Sequence, residues 1–390
     1  VTKLVEGAEA DCICNQLRHA NELKTLLATA IAGALGASAA AQAATVYNQD
    51  GTQLDIYGNI QMAYYSTKDG DGHSEDELTD NGSTVGFSGQ HIINPGLTGY
   101  FKAEFEHNAD EEKINGGINS GDQAYLGLKG NFGDFRVGSW DTLIDDWVQD
   151  PIANNESFDT SDSTTALMGG NDINDDREGD KLQYMSPVLG GFQFAVGSQF
   201  KGDAQSTFDG AAYDSEYEVD RDNNASFFGG VKYAVGAFSV AAVYDNLGTY
   251  EGTIESADAD AGVGVGDSFD PGDAYGLTAQ YTIDTLRLAA KAERLDGDDD
   301  DSDVDFYALG ARWGYGYGDL YGSYQYVDAE SDSGYATTYG DGDGDQSFNE
   351  VVAGVTYNIS PAMYTFVEGV VRDREDDQGD GVSFGAVYSF

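Results

Sequence analysis

From residue 44 onward, apolar and polar residues alternate with a period of two. Leu54, Ile56, Ile60, Met62 and Tyr64 alternate with Asp55, Tyr57, Asn59 and Gln61. Leu97, Gly99, Phe101, Ala103 and Phe105 alternate with Thr98, Tyr100, Lys102, Glu104 and Glu106. Tyr275, Leu277, Ala279 and Tyr281 alternate with Gly276, Thr278 and Gln280, and the chain closes on Phe384, Ala386, Tyr388 and Phe390 in one phase. Successive side chains of a strand point to opposite faces, so this period predicts strands with one apolar and one polar face. Such strands suit a half-buried soluble sheet or a barrel whose outer face meets lipid. No window beyond residue 43 holds the roughly 18 apolar residues of a membrane-crossing helix.

Connection lengths separate the two architectures. Short turns fall at Asn94-Pro95-Gly96, Asn131-Phe132-Gly133, Val188–Gly190, Val235-Gly236, Thr282–Asp284, Tyr315–Gly318 and Asn358–Pro361. Long polar segments lie at 67–81, 109–120, 142–178, 202–224, 247–272, 296–302, 329–347 and 374–379. Seven turns and eight loops predict sixteen strands of about ten to twelve residues. The expected fold is all-β: a transmembrane antiparallel β-barrel with short periplasmic turns and long extracellular loops.

Charge sharpens this picture. The chain has 69 acidic and 19 basic side chains, a net charge of −50. That balance argues against nucleic-acid binding, which needs clustered Lys and Arg, and favours a cation-attracting surface. Beyond residue 43 the eight loops hold 45 of 65 acidic residues but only 5 of 16 basic ones. The acidity therefore lies mostly outside the wall, where lipid would penalise it. A mean hydropathy of −0.42 is compatible with a membrane barrel, because only alternate strand residues meet lipid.

Residues 23–43 have the form of a signal peptide. Lys24 precedes an apolar stretch from Thr25 to Leu35, and small residues end in Ala41-Gln42-Ala43, an A-x-A cleavage pattern. Cleavage near Ala43 would start the mature barrel at residue 44, giving a domain over 44–390. Residues 1–22 are polar, acidic and carry Cys12 and Cys14, which fits a misassigned start codon better than a Cys-x-Cys metal or redox pair. The mature chain would have no cysteine.

Ordered motifs add a resemblance. Val46-Tyr47-Asn48-Gln49-Asp50-Gly51 followed by Leu54-Asp55-Ile56-Tyr57-Gly58 is similar to the first strand of the Gram-negative general porins. Leu126-Gly127-Leu128-Lys129-Gly130 with Phe132-Gly133-Asp134-Phe135-Arg136-Val137-Gly138 is similar to a later hairpin. Arg177 and Asp180-Lys181-Leu182-Gln183-Tyr184-Met185-Ser186-Pro187 with Gly191-Phe192 is similar to the strand pair after the third loop. The terminal Tyr388-Ser389-Phe390, with Phe384 in phase, resembles the assembly signal of outer-membrane barrels, carried by Tyr388 and Phe390. The resemblance spans 44–390.

The resemblance implies a trimeric, water-filled diffusion channel narrowed by a third loop folded into the lumen. Here that loop is 142–178, with Asp145, Asp146, Asp150, Glu156 and Asp159 as constriction candidates. In the family, loop carboxylates face a basic cluster on the opposite wall. The matching positions here are Asn59, Thr84, Ser139 and Met185, none of them basic, and Pro151-Ile152-Ala153-Asn154 replaces the Pro-Glu-Phe-Gly-Gly tip. Strand parity supplies other lumen candidates: Lys102, Arg136, Lys181, Lys232, Arg287 and Lys291. A charge facing lipid at mid-depth costs about 2–4 kcal/mol. Many carboxylates with few opposing cations predict a cation-selective pore, more selective at low salt.

Nothing in the pattern points to catalysis, so no enzyme, cofactor or metal is expected. His73, His91 and His107 are isolated, without metal-ligand spacing or a nucleophile partner. Asp341-Gly342-Asp343-Gly344-Asp345 fails the calcium-loop pattern at Gln346 and Val352. Tyr64, Tyr100, Phe135, Tyr233, Tyr315, Tyr317, Tyr388 and Phe390 suit interfacial girdles; a sugar-stacking platform lacks a visible run on one polar face. The expected function is a general diffusion channel for ions and small hydrophilic solutes in the Gram-negative outer membrane. Its expected partners are two further copies of itself, lipid and lipopolysaccharide, and the barrel assembly machinery. The alternatives are a non-conducting structural or adhesive barrel and a substrate-specific channel.

Overall fold

The computed structural model describes residues 43–390 except 71, 111–117, 154, 168–178, 203–206, 213–214, 258–263, 299–300 and 341–343. The expected extension 1–22, and the signal segment 23–43 up to Gln42, lie outside the described residues. The strands are β1 (Ala44–Gln49), β2 (Thr52–Lys68), β3 (Ser74–Asp80), β4 (Thr84–Asn94), β5 (Leu97–His107), β6 (Ile118–Gly130), β7 (Gly133–Ser139), β8 (Lys181–Met185), β9 (Phe192–Phe200), β10 (Thr207–Ala212) and β11 (Ser215–Arg221). There follow β12 (Ala225–Val235), β13 (Phe238–Asn246), β14 (Gly252–Ala257), β15 (Ser268–Phe269), β16 (Asp273–Ile283), β17 (Leu286–Asp296), β18 (Val304–Gly314), β19 (Asp319–Ala329), β20 (Gln346–Ser360), β21 (Met363–Arg372) and β22 (Gly381–Ser389).

Eighteen of these strands form one antiparallel sheet that closes on itself through β2 and β22. β3 and β4 both pair with the same edge of β2, and β1 continues the course of β22 along its other edge. The sheet is therefore a sixteen-stranded barrel, as the loop and turn spacing predicts. Closure leaves no free edge, so the backbone groups of the wall are satisfied within it. The terminal residue completes the ring. Phe390 and Gly58 exchange two backbone hydrogen bonds, at 2.9 and 3.0 Å.

The apolar phase of every wall strand faces outward. Leu126, Val196, Val231, Leu277, Leu288, Leu309, Val351, Val367 and Phe384 are all exposed, an arrangement that water would disfavour and lipid accepts. Short turns use the residues that turn geometry demands. Gly96, at φ 91°, takes the left-handed position after Pro95 that a residue with a Cβ rarely adopts.

The long connections differ from their reading as plain loops. Segment 67–81 contains β3, which pairs with residues 62–68 of β2 and extends the wall upward. Segments 202–224 and 247–272 contribute β10, β11, β14 and β15, a separate four-stranded sheet. Segment 329–347 contains a helix, Gly334–Tyr339, whose Ser333 cap accepts from Ala336 N. Tyr335, Ala336 and Tyr339 of that helix join Phe306, Val327 and Phe348 in an apolar cluster inside the wall.

Candidate functional site

The third loop enters the barrel after β7. A π-helical turn, Asp145–Gln149, leads into a short helix, Asp150–Ala153, and a second helix covers Ser163–Leu167. Leu143, Ile144, Trp147 and Val148 are buried together with Ala195, Phe228, Ala241, Val243 and Ala274 of the wall. Three inward glycines make the seat. A Cβ on Gly276 would stand 2.5 Å from Val148, one on Gly230 3.1 Å from Trp147, and one on Gly310 3.2 Å from the Ile152 backbone. The loop thus sits where wall side chains are absent.

Three wall carboxylates fasten it further. Glu368 accepts the backbone N–H groups of Glu156, Ser157 and Phe158 at 2.7, 3.0 and 2.5 Å. Glu350 accepts from the N–H and hydroxyl of Ser161 at 2.9 and 2.6 Å, and Glu293 accepts from Ser163 N and Gln149 Nε2 at 3.0 and 2.6 Å. All three are buried. Glu293 is paired with Lys291 at 2.9 Å and Glu350 with Arg374 at 3.0 Å. A buried carboxylate that satisfies several donors and has a counter-charge is tenable where a lone one is not. Residue patterning did not single these glutamates out. A Glu in the polar phase of a strand looks the same whether it meets water or a loop.

The predicted constriction carboxylates separate by environment. Glu156 is tied off by Arg312 at 3.2 Å and Tyr364 at 2.8 Å. Asp159 is exposed, and its carbonyl accepts from Arg372. Asp146 and Asp150 lie one helical turn apart and share Asp141 as a neighbouring charge. Enclosure by the barrel and then the Asp141 charge push Asp146 up to about 7 and Asp150 up to about 6, although Asp150 remains open to lumen water. Enclosure and then Asp162 hold Asp145 well above the carboxylate range. Asp159 is pushed up to about 7 by its position inside the barrel and then by Asp162, with Lys291 opposing, although its side chain still reaches water. Arg136 and Lys181 oppose the shift at Asp146; Arg287 and Lys232 do so at Asp150. These four wall cations are thus near enough to the loop carboxylates to act on their charge.

The remaining wall candidates are engaged. Lys291 is buried beneath the loop beside Glu293 rather than lining open lumen. Lys102 reaches Glu104 at 3.3 Å and Gln123 at 3.0 Å, and Gln123 donates to Asp141 at 2.6 Å. Lys181 donates to the Trp140 carbonyl, and Arg136 lies 4.2 Å from the Trp140 ring centroid. Lys232 stands over Trp147 at 5.3 Å. Tyr100, placed in a girdle by its nearness to a strand end, instead faces the lumen. It shares the phase of Lys102, and its hydroxyl donates to Asp134.

The loop packs against wall residues from β9 to β22, and Lys181 and Gln183 of β8 are buried too, while Tyr57 of β2, Tyr100 and Lys102 of β5 and Lys129 of β6 stay partly open. Among the described residues no group of three or more His, Cys, Asp or Glu is arranged to hold a metal. A closed sixteen-stranded barrel with an apolar belt and an internal loop fixed to one wall defines an outer-membrane channel protein. The sequence profile described as Gram-negative porin matches residues 28–378, and the chain belongs to that family. It is 50% identical over 383 residues to a protein named monosaccharide porin from a Halomonas species, covering 94% of this chain and all of the relative. The barrel superposes on the Salmonella typhi OmpF structure solved with daunomycin (TM-score 0.65, 20% identity, 89% and 100% coverage). It does so equally on the anion-selective porin from Comamonas acidovorans (TM-score 0.65, 19% identity, 87% and 100% coverage). The chain is a non-enzymatic channel of the Gram-negative outer membrane.

Proposed function

We propose that the chain forms a cation-selective diffusion channel for ions and small hydrophilic solutes, with monosaccharides among them. The observation that carries this reading is the internal loop. It holds Asp141, Asp146 and Asp150 toward the lumen while its own backbone is latched to the far wall by Glu293, Glu350 and Glu368. Acidic outer loops lower the potential at the mouth and raise the local cation concentration. Arg136 and Lys181 act on Asp146, and Arg287 and Lys232 on Asp150, as nearby positive charges, so cations of the wall partly offset the loop carboxylates. Lys102 extends the cationic side toward β5, while Asp145, Glu156, Asp159 and Lys291 shape the loop and its seat. Monosaccharide passage is supported by the name of the half-identical Halomonas relative.

The same reading takes the working unit as a homotrimer in lipid and lipopolysaccharide. Insertion by the barrel assembly machinery would use the terminal strand with Tyr388 and Phe390, after cleavage near Ala43. The test is detergent-extracted mature protein in a planar bilayer under a salt gradient. Conductance steps in threes with a zero-current potential favouring potassium support it. A potential favouring chloride overturns the selectivity, and a folded barrel without conductance overturns the channel.

A further inference from the structure

The open wall carries a feature that strand parity alone did not expose. Tyr57 on β2 pairs across the sheet with Gly86 on β4, and Tyr100 on β5 pairs with Gly127 on β6. In each pair the ring lies over the glycine. A Cβ on Gly86 would stand 2.2 Å from the Tyr57 ring, and one on Gly127 2.4 Å from the Tyr100 ring. A ring laid flat on the backbone of the next strand turns its other face toward the lumen. Both tyrosines are half-buried, as such a placement requires.

The two rings belong to a connected strip. Tyr100 meets Tyr125 edge-on at 6.2 Å, and Tyr125 meets the buried Trp140 edge-on at 5.9 Å. Lys102 stands 5.9 Å from the Tyr57 ring centroid and Lys129 4.9 Å from that of Tyr100. Polar side chains lie between the rings in register. Gln53 faces Gln90, which faces Tyr100, and Asp55 faces Ser88, which faces Lys102. Gln90 donates to Gln53 at 3.3 Å. Tyr100 lies three residues from the turn start at Leu97, and Tyr57, level with Gly86 and Glu104, lies nearer the constriction. The strip therefore descends from the internal loop toward the short-turn end.

Flat aromatic faces flanked by hydroxyl, amide, carboxylate and ammonium groups match the chemistry of a sugar ring. A pyranose offers one face of C–H bonds, which meets the electron-rich face of an aromatic ring, and a rim of hydroxyls that donate and accept. Lys129 is exposed on a flexible stem, so a sugar can take its place over Tyr100 while the ammonium donates to a hydroxyl. An open-chain polyol of nearly the same mass has the hydroxyls without the flat apolar face. Aromatic stacking separates the two where hydrogen bonding and size do not.

We propose that Tyr57 and Tyr100 are two stations of a stacking track on which cyclic monosaccharides pass from the constriction to the short-turn side of the pore. The proposal rests on the diffusion-channel reading above and names the wall residues that favour ring-closed sugars over open-chain polyols. Its test compares the influx of labelled glucose and labelled sorbitol, each at low concentration, into liposomes holding the mature protein. Glucose is expected to enter faster than sorbitol by roughly two- to tenfold, the ratio that one aromatic contact supplies. Tyr100→Leu and Tyr57→Leu should bring the ratio toward unity, and Tyr100→Phe should keep it, because the ring stays. Equal influx of the two solutes through wild-type protein overturns the track and leaves the diffusion channel standing. Influx of neither solute overturns both. A preference for glucose that persists in folded, heat-modifiable Tyr57→Leu/Tyr100→Leu protein overturns the assignment to these rings.

Discussion

Glu368 of β21 accepts the backbone N–H of Phe158, 210 positions earlier in the chain, at 2.5 Å. The same carboxylate takes the N–H groups of Ser157 and Glu156 and the hydroxyl of Tyr321. One inward carboxylate thus organises a loop segment that would otherwise bury three unpaired donors. Glu368→Gln keeps the shape but supplies one acceptor oxygen and removes the charge. Each donor left without its partner costs about 1–3 kcal/mol. The expected outcome is a lower unfolding temperature of the barrel, read as the loss of heat-modifiable mobility on a gel, together with greater current noise in the bilayer. Unchanged noise and mobility would mean that the glycine seat alone holds the loop.

The elevated loop carboxylates make selectivity depend on pH near neutrality. Asp146 is pushed up to about 7 and Asp150 up to about 6. Each is charged above its raised pKa and neutral below it. Cation preference should therefore be full near pH 8 and fall between pH 7.5 and 5.5, well above the usual carboxylate range of about 4. The check is the zero-current potential in a fixed salt gradient across that pH series. Asp146→Asn/Asp150→Asn should lower the preference at pH 8 and shrink its change across the window, leaving the part that Asp159 contributes. A preference that holds to pH 5 in wild-type protein would assign selectivity to the outer loops instead.

How much of this was legible follows from what each residue meets. Leu97–Phe105 shows its alternation because one face touches lipid and the other the lumen. Ser74–Asp80 forms β3 but reads Ser-Glu-Asp-Glu-Leu-Thr-Asp. It shows no apolar phase because most of it is exposed on the rim of the barrel. The described residues 142–153 and 155–167 lie inside the barrel, and the expectation that the third loop folds inward came from its length and from the family resemblance. Its fastening by Glu293, Glu350 and Glu368 could not, since polar phase says inward and no more. A signal was nonetheless present, because these are acidic residues inside wall strands of a chain that keeps most of its acid in loops. For Tyr100, two cues conflicted. Nearness to a strand end suggested a girdle, while the shared phase with Lys102 indicated the lumen, and phase decides because the pleat alternates strictly.

The seat of the loop can be tested from the wall side. Gly276 faces inward, and a Cβ there would stand 2.5 Å from Val148. Gly276→Val should overpack this contact and destabilise the docked loop by about 1–3 kcal/mol. Ala279 lies on the opposite phase of the same strand, and Ala279→Val adds the same apolar bulk toward lipid. Limited proteolysis of detergent-solubilised protein distinguishes the two. Cleavage within 140–180 should rise in Gly276→Val and stay at the wild-type level in Ala279→Val. Equal resistance in both would show that the loop shifts to absorb the added side chain.

Phe390 extends the β2–β22 pairing that closes the barrel. Phe390 exchanges two backbone hydrogen bonds with Gly58, and its ring lies over that glycine, 2.8 Å from where a Cβ would stand. Deleting Phe390 removes the bonds and the ring together. Phe390→Ala keeps the bonds and removes only the ring. Each bond contributes about 0.5–1.5 kcal/mol net in water, and the unpaired groups are costlier in lipid. The expected order of folded yield in detergent or liposomes is wild type, then Phe390→Ala, then the deletion, scored as the heat-modifiable fraction. If the two variants fold equally well in vitro but only wild type accumulates in cells, the ring acts in delivery to the membrane rather than in closing the wall. If Phe390→Ala matches wild type in both settings, closure through Gly58 is the whole contribution of this position.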